Sequence, residues 1–191
     1  SVGLGARFSL LSRETLLLGN NVMLVVACGA VLLGTLYPLL LDSLNMGKIS
    51  VGPPYFDAVF VPLMVPLIFL MGVGPMTQWR HAELPTLAKR LRWAAVVTVV
   101  AALVSGWLAG GIKPMTSLGL GLGWWVVASV ATDLWEKVRP LPGVASVRQR
   151  LAQLPRATMG MMLAHLGVAA FIFGVTLVRS YEVESDVKMG I

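Results

Sequence analysis

The sequence predicts an all-α integral membrane protein with about five transmembrane helices, forming part of a larger polytopic bundle. Of its 191 residues, 57% are hydrophobic and only 13% are charged, and the mean hydropathy is +0.80. Soluble domains carry about 25% charged residues, so this composition argues against a water-soluble fold. The apolar residues are also grouped in blocks, and about 20 apolar residues in an α-helix cross the hydrocarbon core.

Residues 1–21 are predicted to form a segment on the inner membrane surface, because Phe8–Asn20 mixes apolar and polar side chains. Val22–Leu41 is the first predicted crossing. The single cysteine, Cys28, lies in this block and can form neither an internal disulfide nor a CxxC pair. We expect it to act as a small buried hydrophobic residue.

Ala58–Trp79 is the second predicted crossing, and its three prolines predict a kink. Trp93–Gly110 and Met115–Thr132 are the third and fourth. They are short and closely connected, so a tight re-entrant pair is an alternative to two full crossings. Ala157–Val178 is the fifth crossing, which makes residues 22–178 the transmembrane domain.

The distribution of basic residues predicts the orientation. Eleven Lys and Arg residues lie in the amino-terminal stretch and in the connections after the second and fourth crossings, against four on the opposite side. Cytoplasmic connections are enriched in Lys and Arg, so the amino terminus is predicted to be cytoplasmic. This placement explains the net charge of +6 without nucleic-acid binding. Residues 179–191 would then begin an outer, periplasmic segment, and the alternation in Tyr181–Lys188 predicts a strand.

His165 is the residue on which the functional interpretation depends. It lies midway along Ala157–Val178, a run otherwise free of ionisable groups. Ionisable groups at membrane depth usually pair, conduct or ligate, and neutral imidazole is the commonest metal ligand. The residues alone leave three roles open: a hydrogen bond that braces the bundle, ligation of haem or a metal, and a proton or substrate path. For a single His, haem iron with a second axial His from elsewhere is the most economical metal site.

The helical neighbours of His165 form an apolar, flexible face. Met161, Met162 and Ala169 lie three or four residues away, and the small Ala169 leaves room beside the ring. These four residues are the predicted porphyrin contacts, with His165 as the metal ligand. The sequence contains no Ser/His/Asp set and no Cys/His pair, so no catalytic residue is assigned.

A second pattern lies on another face of the fifth crossing. Gly160, Gly167 and Gly174 recur at intervals of seven residues. Small residues in such a row let a second helix approach closely, so a helix is predicted to pack here.

Several stretches resemble the CcmF family, the haem lyase subunits of cytochrome c maturation. The similarity covers essentially the whole chain, as a later portion of a longer family protein. It is most specific in FSLLSRETLLLGNN from Phe8, in LLGTLYPLL, in GKISVGPPYFDAVFVPLMVPLIFLMGVGP and in AHLGVAAFIFGVTLVRSYEVESDVKM from Ala164.

The resemblance implies a function and a cofactor. Family members receive haem from a haem chaperone and promote its covalent attachment to apocytochrome c, together with other cytochrome c maturation membrane proteins. They also hold a b-type haem between two membrane histidines, and this haem takes electrons from quinol. The AHLG motif carries one of these ligands, which here is His165. The resemblance further implies a multi-pass protein of the bacterial inner membrane, with the mitochondrial inner membrane as the alternative.

The chain departs from the family pattern in what it lacks. The tryptophan-rich WWD signature, its two flanking histidines and the partner membrane histidine are missing, and Trp124-Trp125 lacks the surrounding pattern. The resemblance therefore implies half of an electron-delivering haem site within the remainder of the haem lyase, among membrane lipid. The alternative is a non-redox membrane transporter or assembly subunit, in which His165 braces the bundle or relays protons.

Overall fold

The computed structural model of the chain describes residues 13–76, 84–108, 113–139 and 146–181. Within them the secondary structure is helical, apart from one short 3₁₀ turn and the connections. The helices are α1 Arg13–Ser43, α2 Pro53–Val73 with the 3₁₀ turn Gly74–Met76 after it, α3 Leu84–Leu108, α4 Pro114–Val138, α5 Val147–Ala152 and α6 Arg156–Tyr181.

Every helix except α5 is long and apolar enough to cross a membrane. The predicted all-α membrane fold is therefore confirmed. A helix of 25 residues, the length of α3 and of α4, spans about 38 Å, more than the hydrocarbon thickness of about 30 Å. These lengths favour two full crossings over a re-entrant pair.

Four of the predicted crossings extend further in the structure. α1 begins at Arg13, nine residues before Val22, so the inner-surface segment from Arg13 onward is continuous with the first crossing. α3 begins at Leu84, nine residues before Trp93. α4 continues six residues beyond Thr132, to Val138, because the first residue that opposes a helix is Pro140. α6 continues to Tyr181, so the residue predicted to open an outer strand is helical. The rest of that predicted strand lies outside the described residues.

The prolines of the second crossing occupy different structural positions. α2 begins with Pro53 and Pro54, where a missing N–H costs nothing, and stays helical through Pro62 and Pro66. Pro75 lies in the 3₁₀ turn that follows the helix. The kink remains a prediction.

The chain divides into two compact units, residues 1–91 and residues 92–191. In the first, α1 packs on α2 through a close approach at Gly34, where an added Cβ would lie 2.6 Å from Cε1 of Tyr55. The Tyr55 hydroxyl donates a hydrogen bond to the Ala30 carbonyl oxygen at 2.9 Å. Cys28 is exposed, contrary to the expectation of a buried side chain.

In the second unit, α4 packs along α6, and this is the most extensive contact between any two of the described helices. Val126 of α4 and Ala169 of α6 are almost fully buried, at 0% and 1% exposure. Gly123 lets the Phe173 ring approach the α4 backbone, since an added Cβ would lie 2.6 Å from Cε1 of that ring. This helix pair positions the residues of functional interest.

Candidate functional site

The His165 ring is half-buried on α6, and its hydrogen bonding determines which nitrogen can act as a ligand. Nδ1 lies 2.8 Å from the backbone carbonyl oxygen of Met161. A carbonyl oxygen only accepts hydrogen bonds, so Nδ1 carries the proton and donates it. Nε2 of the neutral ring then keeps its lone pair. Among the described residues Nε2 has no hydrogen-bond partner, so it can bind a metal or accept a proton.

The other predicted porphyrin contacts differ in exposure. Met162 is 7% exposed and Ala169 is 1% exposed, so both are covered within the chain. Met161 is half-buried, as His165 is. Four of the half-buried positions of α6 form one row along the helix: Met161, His165, Val168 and Ile172. Met161 thus shares an accessible surface with the imidazole, whereas Met162 and Ala169 lie behind it.

A buried carboxylate on α4 adds an ionisable group that the sequence analysis did not single out. Asp133 is 6% exposed, and its Oδ1 pairs with the Lys137 ammonium one turn later. Its Oδ2 is buried and has no hydrogen-bond partner in the described part of the chain. Ser129, one turn earlier and 2% exposed, has a hydroxyl in the same state. The sequence analysis ends the fourth crossing at Thr132, and therefore assigns Asp133 to the connection that follows this crossing.

The packing of α4 on α6 places Asp133 and His165 at similar depth. Gly119 lies against Thr176 and Gly123 against Phe173, which fixes an antiparallel register. Asp133 lies ten residues beyond Gly123, and His165 lies eight residues before Phe173. At 1.5 Å per residue these offsets are about 15 Å and about 12 Å, so the two residues differ in depth by about 3 Å.

Asp133 and His165 also lie away from the same edge of the α4–α6 interface. The rings of Trp124 and Phe173 pack edge to face with centroids 5.3 Å apart, and Trp124 Nε1 donates to Ser105 Oγ of α3 at 3.3 Å. Asp133 follows Trp124 by nine residues, about 180° around the helix. His165 is turned from Phe173 by about 80° around α6. The Trp124–Phe173 edge therefore faces α3, and Asp133 lies on the opposite side of α4 from Trp124.

The described residues provide one candidate metal ligand rather than a complete metal centre. No group of three His, Cys, Asp or Glu side chains within them could hold a metal ion. The other histidine, His81, lies outside the described ranges. A haem that bound here would need its second axial ligand from outside the described part of this chain.

The glycine row of α6 lies on the uncovered side of the helix. Apart from the adjacent residues and the nearby backbone of α6 itself, no heavy atom of the described residues lies within 4 Å of the position that a Cβ would take at Gly160, Gly167 or Gly174. A shallow apolar groove of about 420 Å³ surrounds Gly174, between Phe171 and Val178. The helix that the sequence predicts against this row is thus not among the described helices.

Comparison with known proteins shows relatives of one kind, although no family model matches the chain. The chain is 40% identical over 182 residues to the cytochrome c-type biogenesis protein CcmF of Pseudomonas fluorescens, and 38% identical over 185 residues to CcmF of Escherichia coli. Each match covers 95% of this chain and 27% of the relative.

A solved structure agrees with the sequence relatives. The chain superposes on "Cytochrome c Heme Lyase CcmF" with a TM-score of 0.66 and 30% identity, covering 93% of this chain and 27% of the other. The chain thus spans about a quarter of the length of the proteins that it matches. Along nearly all of its own length, the chain is therefore similar to a portion of the CcmF proteins of cytochrome c biogenesis.

Proposed function

We propose that this chain acts within a cytochrome c haem lyase and supplies one axial ligand, Nε2 of His165, to a membrane-buried b-type haem. One observation carries the assignment. The hydrogen bond from Nδ1 to the Met161 carbonyl holds the ring in the tautomer whose Nε2 lone pair is available. Metal-ligating histidines commonly make this second hydrogen bond, which fixes the tautomer and orients the ring.

The surroundings of the ring fit a porphyrin on one side. Met161, Val168 and Ile172 share the half-buried row with His165 and offer apolar contact. Met162 and Ala169 are buried on the side of α6 that packs against α4. When bound, the haem would supply one-electron transfer. The residues of the chain would hold it and exclude water, and a second histidine from the rest of the haem lyase would complete the ligation.

The wider role is part of the same proposal. The complete assembly would attach haem from a haem chaperone to apocytochrome c, and the b-type haem, when bound, would supply electrons from quinol. The positions of the basic residues support a cytoplasmic amino terminus in a bacterial inner membrane. No covalent chemistry is assigned to residues of this chain.

The test replaces His165 with Ala in the complete assembly. We expect loss of the reduced b-type absorption bands and of the corresponding haem per protein. Leu163→Ala is the matched control, because Leu163 is 73% exposed on the other side of the same helix and its truncation should leave the spectrum intact. His165→Gly with added imidazole provides a rescue, since free imidazole can occupy the vacated position. Unchanged haem content in His165→Ala would refute the assignment.

A proton-relay function is the second candidate, and Asp133 is the observation that favours it. A buried carboxylate with an unpartnered oxygen lies at nearly the depth of an imidazole on the facing helix. Such pairs of ionisable groups mark proton paths in membrane proteins. A visible spectrum of the purified assembly separates the two functions: a Soret band that scales with protein supports haem ligation, and its absence supports the relay.

A further inference from the structure

A basic surface lies where α4 ends and α6 begins, and the proposed function makes no use of it. Residues 133–156 contain two acids, Asp133 and Glu136, against five basic side chains: Lys137, Arg139, Arg148, Arg150 and Arg156. Lys137 pairs with Asp133. Arg148 and Arg156 are exposed, and no acidic side chain of the described residues pairs with either. The surface therefore carries an excess of positive charge.

The lengths of the two helices place this surface at the edge of the hydrocarbon core. The 25 residues of α4 and the 26 residues of α6 span about 38 Å and about 39 Å, against a core of about 30 Å. A helix centred in the core then extends about 4 Å beyond it at each end. Trp135 is 60% exposed near the end of α4, and Trp is enriched at membrane–water interfaces. Lys137 and Arg156 thus lie at the level of the lipid headgroups.

The short helix α5 adds exposed apolar side chains to the same surface. Val147 is 40% exposed and Leu151 is 45% exposed, and their spacing of four residues places them on one side of the helix. Arg148 lies between them in the sequence. Apolar side chains next to arginines are typical of helices that lie in the boundary between headgroups and acyl chains.

Local hydrogen bonds hold α5 in place. A helix of six residues is not stable alone, but Ser146 and Gln149 form a capping box at its start. Nη1 of Arg150 donates a hydrogen bond to the Arg139 carbonyl oxygen at 3.3 Å, which attaches α5 to the end of α4. The exposed apolar pair is thus presented by a fixed element.

We propose that α5 and the adjoining ends of α4 and α6 bind anionic phospholipid of the leaflet at this end, which is the end predicted to be cytoplasmic. Arg148 and Arg156 bind headgroup phosphate, since the guanidinium group offers a planar set of donors that matches it. Val147 and Leu151 enter the boundary of the acyl chains. Basic clusters directly beside membrane-spanning helices bind anionic lipid in this way.

The apolar pair favours lipid over an acidic protein as the partner. An acidic protein would account for Arg148 and Arg156, but not for apolar side chains exposed at the depth of the headgroups. The inference is independent of haem ligation by His165, so the failure of either leaves the other standing.

The experiment uses the complete assembly in a neutral detergent, titrated with dioleoyl phosphatidylglycerol or with dioleoyl phosphatidylcholine, which has the same chains and no net charge. Native mass spectrometry measures the lipid retained per protein. We expect the wild type to retain phosphatidylglycerol at lower concentration than phosphatidylcholine. Each arginine near an anionic surface strengthens binding about fivefold. The double variant Arg148→Gln/Arg156→Gln should therefore need about 25-fold more phosphatidylglycerol.

Two further variants separate the site from general charge. Lys48→Gln/Lys113→Gln removes two exposed positive charges at the opposite end of the helices and should retain lipid as the wild type does. Leu151→Gln removes part of the apolar contact and should weaken retention about fivefold. If the double arginine variant does not assemble, Arg148→Gln alone replaces it, with an expected loss of about fivefold.

Three outcomes would overturn the inference. One is equal retention of the two lipids by the wild type. Another is an equal loss in the arginine and lysine variants, which would mean that only net charge matters. The third is undiminished retention in Leu151→Gln, which would show that the surface recognises acidic groups without entering the membrane.

Discussion

Replacing Gly123 with Ala should loosen the α4–α6 pair that carries both His165 and Asp133. The added Cβ would lie 2.6 Å, 2.8 Å and 2.9 Å from Cε1, Cζ and Cδ1 of Phe173. Carbon atoms pack best at about 3.5–4.0 Å, so the ring must move by about 1 Å. That movement also disturbs the edge-to-face pair with Trp124.

Three contributions determine how Gly123→Ala changes the free energy of unfolding. Overpacking of a well-filled core costs about 1–3 kcal/mol, and an aromatic pair contributes about 0.5–1.5 kcal/mol. Ala is favoured over Gly within a helix by about 1 kcal/mol, which offsets part of that loss. We therefore expect Gly123→Ala to lower the free energy of unfolding by about 1–3 kcal/mol.

Gly121→Ala is the matched control on the same helix. Its Cβ would lie 3.8 Å from the Ala102 Cβ, an ordinary van der Waals contact, so it gains the helix preference without the clash. Unfolding in detergent, followed by circular dichroism and tryptophan fluorescence, should separate the two variants by about 2–4 kcal/mol. Equal stability of the two variants would refute the close approach of Phe173 to α4.

Two further predictions concern the other helix contacts. Tyr55→Phe should lose about 1 kcal/mol of stability because it removes the hydrogen bond to the Ala30 carbonyl, while Tyr37→Phe at a 47% exposed position should have little effect. An equal change in melting temperature for both would contradict this. Gly167→Leu should reduce co-purification with the rest of the haem lyase, because it fills the face left open on α6. Normal recovery of the assembly would show that no helix packs there.

The fold was largely predictable from the sequence because the signal for a membrane helix is local. Each of the five apolar blocks overlaps one of five membrane-length helices, because the apolarity of a block is enough to predict a crossing without knowing what it contacts. The ends were less accurate. Apolarity places the end of the fourth crossing at Thr132, but backbone hydrogen bonding continues until a residue opposes it, and Pro140 is the first that does.

The site was only partly predictable, because side-chain environment depends on which helices meet. Spacing placed Met161, Met162 and Ala169 around His165, but it could not tell that Met162 and Ala169 are buried within the chain while Met161 stays half-buried. The α4–α6 contact decides this, and that contact is long-range. Asp133 was missed because apolarity places the end of the fourth crossing at Thr132, one residue before it. The signal that could have revealed Asp133 is its position four residues before a Lys, next to an apolar stretch and ahead of the first Pro.

The arrangement of Asp133 and His165 limits what a non-redox role could be. Nδ1 of His165 bonds within its own helix, so a bracing role would have to use Nε2, the same nitrogen that a relay or a haem iron would use. A relay requires a group that can exchange protons with Nε2, and the carboxylate on α4 is the buried candidate. Haem ligation occupies Nε2 and does not require the carboxylate. The two functions therefore compete for one nitrogen atom, and Asp133→Asn distinguishes them: it should abolish a relay but leave haem bound.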